Sequence, residues 1–155
     1  MSAQGSGAFE QTLRTEGVLF YRIEGVSMQP MLRQKRDAVV VRPPQGRLKK
    51  YDVALYRRDS GKYVLHRVVR VLPDGYVIRG DNCYTDETDI TDREIIGVLT
   101  DFVRKGRQKP VAAPSYRLYA RLWVGLYRVR RFLHVCKGFL TEGLWVHLSD
   151  RRTKK

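Results

Sequence analysis

The chain has 155 residues, 43% hydrophobic and 30% charged, a globular composition that fits one domain with an appendage but excludes a second enzyme-sized unit. Its net charge of +14 is uneven: residues 1–100 carry 16 Lys/Arg against 13 Asp/Glu, whereas residues 101–155 carry 14 against 3. Basicity is therefore the property of a C-terminal element, and two distant cysteines, Cys83 and Cys136, rule out a disulfide framework or a Cys/His zinc spacing.

The N-terminal "MSAQGSGAFEQTLRTEG" has no apolar core of signal-peptide length, and no run of 18 apolar residues follows. The expectation is a cytoplasmic chain, attached to a membrane at most peripherally. Phe9 and Leu13 stand at helical spacing, so residues 8–16 are expected to be a short helix, with Gly17 as its C-terminal cap. Residues 1–17 form an arm on this reading.

From residue 18 the period shortens. "VLFYRI", "DAVVV", "DVALYRR", "KYVLHRVVRVL", "GYVIRG" and "EIIGVLTDFVR" are Val/Ile/Tyr-rich runs broken by turn-forming segments. "RDSGK" and "LPDG" are hairpin connections in which glycine supplies positive φ. Residues 18–110 are thus expected to be a mainly β domain, a curled sheet or small barrel.

Residues 111–155 form a basic helical tail. Leu118, Leu122, Leu126, Val129, Leu133, Cys136, Leu140 and Leu144 recur at three- and four-residue steps, and at helical pitch they occupy an arc of roughly 80°. Arg117, Arg121 and Arg128 flank one side of that stripe; Tyr119, Trp123, Tyr127 and Trp145 lie beyond the other, and Gly138 and Gly143 weaken the far end. Two readings stay open. The stripe packs on the β domain, or the helix, through residues 116–145, lies in an anionic membrane surface. Nucleic acid is a weaker third partner, since no recognisable binding module accompanies the arginines.

His134 and His147 sit in this tail as ordinary helix residues, whereas His66 falls inside a strand between apolar neighbours. Alone, His66 reads as a core histidine bonded to a carbonyl. It is not alone. Gly25-Val26-Ser27-Met28-Gln29-Pro30, then His66-Arg67-Val68-Val69, then Gly80-Asp81-Asn82 resemble, in that order, the three boxes of the signal peptidase family of serine endopeptidases, in the branch whose general base is histidine. The resemblance covers roughly residues 18–100 and leaves out the C-terminal helix. It implies the curled β-fold shared with the self-cleaving repressor peptidases, with a C-terminal amphipathic helix appended here.

It also implies a chemistry that suits the residue types. Ser27 is the nucleophile and His66 the base, then the acid toward the leaving amine, with no metal or cofactor required. A carboxylate orients such an imidazole; Asp81, inside the matched box, is the first candidate and Asp86 the second. The Ser27 N–H holds the oxyanion, helped by the Gly25 turn, while Met28 and Pro30 hold that turn rigid. Lys62 is the alternative base and would need desolvation to act at neutral pH. The chain departs from the family pattern at Met31, where Thr or Ser is common, and in lacking the usual transmembrane anchor. The substrate implied is an extended peptide or precursor protein. The rival reading is a non-catalytic or self-cleaving regulatory module of the same fold, whose basic tail binds membrane or nucleic acid.

Overall fold

The computed structural model describes residues 7–137. Helix α1 (Ala8–Glu16) ends at Gly17, whose φ of 68° is the left-handed conformation glycine tolerates best and whose N–H caps the Leu13 carbonyl. Eight antiparallel strands follow: β1 (Leu19–Arg22), β2 (Asp37–Arg42), β3 (Val53–Arg57), β4 (Tyr63–Leu72), β5 (Gly75–Arg79), β6 (Glu87–Ile90), β7 (Ile95–Arg104) and β8 (Arg107–Pro110). They form one sheet in the order β1-β2-β7-β3-β4-β5-β6, with β8 paired to β7 outside that path. The protein is mainly β with C-terminal helix.

Register irregularities break the β2/β7, β3/β7, β4/β5 and β5/β6 ladders, and such bulges bend a sheet. Bending gives two apolar clusters. Val53 and Leu55 of β3 join one with Leu13, Ile23, Met28, Leu32 and Phe102, while Ala54 and Tyr56 join the other with Val68, Tyr76 and Ile78. Strand β3 is therefore buried on both faces, which is why "VALY" shows no polar alternation.

The two hairpin glycines differ. Gly61 in "RDSGK" has φ 78°, as a tight turn requires. Gly75 in "LPDG" does not adopt positive φ; a Cβ there would lie 2.5 Å from the Ile90 carbonyl oxygen, so it serves close approach of β6 instead.

Helix α2 (Pro114–Gly125) starts with proline at its first turn and, after a turn at Leu126, continues helical over residues 127–137. Its leucine stripe does not pack on the sheet: Leu118, Leu122, Leu126, Val129 and Leu133 are 50–60% exposed. The other face turns inward, with Ala120 buried and Tyr116, Tyr119, Trp123 and Tyr127 half-buried. Leu140, Leu144, Trp145, His147, Gly138 and Gly143 lie outside the described residues. No described helix is long and apolar enough to cross a membrane.

Candidate active site

The segment after β1 leaves the sheet at Gly25, whose φ of 80° strains any L side chain, and turns back through a Gln29–Pro30 peptide that is cis. Met28, Met31 and Leu32 drop into the core, Pro30 stays exposed, and Ser27 is left half-buried. The loop is pinned behind by Asp37 at the start of β2, which accepts hydrogen bonds from Arg36, Arg104 and the Arg33 N–H.

Ser27 and His66 line one groove of about 1230 Å³. The groove runs beside β1, whose only strand partner among the described residues is β2, and beside Tyr63–His66 of β4, which among those residues pair with β3 alone because β5 joins β4 only from Arg67 onward. Two strand edges, at Tyr21–Ile23 and Tyr63–His66, thus border the same space.

Gly80 brings the Ser27 and His66 segments together. A Cβ on Gly80 would lie 2.7 Å from the Ser27 carbonyl oxygen, 2.7 Å from Cys83 Sγ and 3.0 Å from His66 Nε2. The next amide but one, Asn82 N–H, donates to the Ser27 carbonyl at 2.8 Å. Among the described residues no hydrogen bond joins Ser27 Oγ to His66, and the Ser27 N–H donates to none of them.

His66 is buried, and its Nδ1 lies 2.9 Å from Glu87 Oε1 and 3.2 Å from the Tyr56 hydroxyl. Burial works against the Glu87 charge, but Arg58, Tyr56 and His66 together hold its carboxyl below the usual range. An ionised carboxylate only accepts, so Nδ1 carries the proton and Nε2 is left as the basic nitrogen on the Gly80 side. Burial pushes the His66 pKa below its ordinary value, and the Glu87 charge pulls it partly back.

The expected aspartates lie elsewhere. Asp81 is buried and receives both Arg67 Nε and Nη2, at 2.7 and 2.8 Å, together with the Tyr119 hydroxyl at 3.1 Å. A fully buried guanidinium requires a paired charge, and Asp81 supplies it. Asp86 accepts from Arg79 at 2.8 Å on an exposed side chain. Neither aspartate is the partner of His66; Glu87 is, one residue beyond the second candidate. No sequence signal marked it: "ETDI" reads as loop, and only the pairing of Glu87 with Ile78 of β5 brings it beside the His66 strand.

Met31 also finds a role, since Arg67 Nη2 lies 3.0 Å from its thioether. Burial first, then the Glu87 charge, raises the Cys83 thiol, so the groove's cysteine is a poor nucleophile. Lys62 lines the groove but is exposed. Among the described residues no group of three His, Cys, Asp or Glu is placed to hold a metal. Compared with known proteins, no family model matches this chain, and neither does any curated sequence.

Proposed function

We propose that this protein is a serine endopeptidase of the signal-peptidase type, in which Ser27 is the nucleophile, His66 the base and Glu87 the group that orients the base. The observation that carries the reading is the meeting of His66 Nε2 and the Ser27 segment at Gly80, with Nδ1 held by Glu87. The three sequence boxes supply Ser27, His66 and Gly80 in that order, and Glu87 lies outside them. Nucleophile–base hydrogen bonds commonly tighten only when substrate binds, so a Ser27 Oγ not yet bonded to His66 is compatible with this role.

An extended peptide pairs with the free strand edges that border the groove. Ser27 Oγ attacks the scissile carbonyl carbon as His66 Nε2 takes its proton; the Ser27 N–H receives the oxyanion, and Glu87 stabilises the imidazolium. The tetrahedral intermediate collapses as Nε2 returns the proton to the leaving amine and the C–N bond breaks. Water then attacks the acyl-enzyme by the same route, releasing the new carboxyl end and restoring Ser27.

A fluorophosphonate probe tests this directly. Peptide mapping is expected to place the label on Ser27, with none on Ser27→Ala and strongly reduced labelling of His66→Ala. Equal labelling of Ser27→Ala, or none of the wild type, sinks the assignment. Intact-mass measurement after long incubation separates the self-processing form of the chemistry, which requires a truncation that Ser27→Ala abolishes.

A further inference from the structure

We propose that the outward face of the C-terminal helix docks on an anionic lipid surface. Leu118, Leu122, Leu126, Val129, Phe132 and Leu133 are all at least half exposed. A contiguous apolar face of this kind on a structured helix marks an interaction site. The helix is a fixed platform, because its opposite face is tied down by Tyr116 to Arg67, Tyr119 to Asp81, Trp123 and Arg130 to the Asp81 carbonyl, and Tyr127 to the Tyr84 carbonyl.

Charge selects the occupant. Residues 114–137 hold six Lys/Arg and no Asp or Glu, and Arg117, Arg121 and Arg128 are exposed along one flank of the apolar face. A second copy pairing through this face would bring arginine rows together with no acidic residue on either helix to offset them. Nucleic acid would use the arginines and leave the leucines wet. Anionic lipid satisfies both, burying the apolar side chains at the acyl boundary while the arginines meet headgroup phosphates.

The test is flotation of the full chain with phosphatidylcholine vesicles, with and without phosphatidylglycerol. Wild type is expected to bind the anionic vesicles at least about tenfold more tightly than the neutral ones, weakening with salt. Leu122→Asp/Leu126→Asp should reduce binding by about tenfold or more, and each of Arg117→Gln, Arg121→Gln and Arg128→Gln by about fivefold. These side chains are exposed, and circular dichroism of each variant confirms retained folding. Ser27→Ala must bind as wild type, so the outcome is independent of the peptidase assignment. The proposal is overturned by failure of the wild type to bind anionic vesicles, by equal binding to neutral ones, or by leucine variants that bind unchanged. Self-association in vesicle-free buffer that the aspartate variants dissolve, or oligonucleotide binding in place of vesicle binding, would overturn it too.

Discussion

Glu87 governs two properties of His66 that a mutation separates. Its carboxylate fixes the Nδ1–H tautomer, and its charge opposes the burial that lowers the imidazole pKa. With that pKa below the ordinary 6.5, the acid limb of kcat/KM for peptide cleavage is expected below pH 6.5. Folding stability follows the same sign: the unfolded chain takes the proton first, so stability falls as pH drops through the ordinary imidazole value. Glu87→Gln is expected to lower kcat by on the order of 10² to 10⁴ and to move the acid limb further toward acid. A pH–rate profile checks both, and a limb moved by Asp86→Asn but not by Glu87→Gln would return the role to the aspartate. Gly80→Ala is the second residue-scale test. Its Cβ would strike the Ser27 backbone oxygen, which cannot swing aside as a side chain does. Loss of probe labelling at Ser27 with the chain still folded is the expected result. Ser27, His66 and Gly80 were legible because their boxes are local and ordered. Glu87 was not, because 21 residues separate it from His66 and only the fold of β4, β5 and β6 brings them together.

At the scale of elements, the Arg67–Asp81 pair ties strand β4 to the loop after β5, and helix α2 closes over that loop. Tyr119, Trp123, Arg130 and Tyr127 all bond within residues 81–84. Removing the Asp81 charge strands a fully buried guanidinium, so Asp81→Asn is expected to cost about 3–5 kcal/mol in urea unfolding. Tyr119→Phe, which loses one hydrogen bond, should cost about 1 kcal/mol. If Asp81 instead oriented His66, the asparagine variant would shift the pH limb with little loss of stability; the unfolding midpoint and the profile together distinguish the two. The period of this helix was legible in the sequence and its buried face was not. Hydropathy alone turns leucines inward, but the surface that α2 meets is a buried carboxylate with backbone carbonyls, which tyrosine hydroxyls and a tryptophan N–H can satisfy and leucines cannot. Strands β6 ("ETDI") and β8 ("RQKP") escaped for a related reason: β8 is exposed throughout and β6 at its two central residues, and their polar composition resembles loop.

For the whole molecule, the basic charge and the candidate active site sit on different parts of one chain. The near-balanced residues 1–100 carry Ser27, His66 and Glu87, while the strongly basic remainder carries the exposed leucine face. The hydrogen bonds between α2 and the 81–84 loop place that face one layer of side chains behind the loop that supports Ser27. If both proposals hold, docking raises the effective concentration of the groove toward substrates carried on the same surface without altering the groove itself. Cleavage of a lipid-anchored peptide in anionic vesicles is therefore expected to exceed that of the same peptide free in solution. The advantage should vanish in Leu122→Asp/Leu126→Asp and shrink at high salt, as the screening length falls from about 8 Å at physiological ionic strength to about 3 Å at 1 M. Turnover of the free peptide should change little in either case, because the leucines touch neither Ser27 nor His66. Parallel rate measurements on the two substrates decide the matter: an equal loss on both would mean that the helix acts by holding the site in shape, and an unchanged advantage would mean that docking does not use this face.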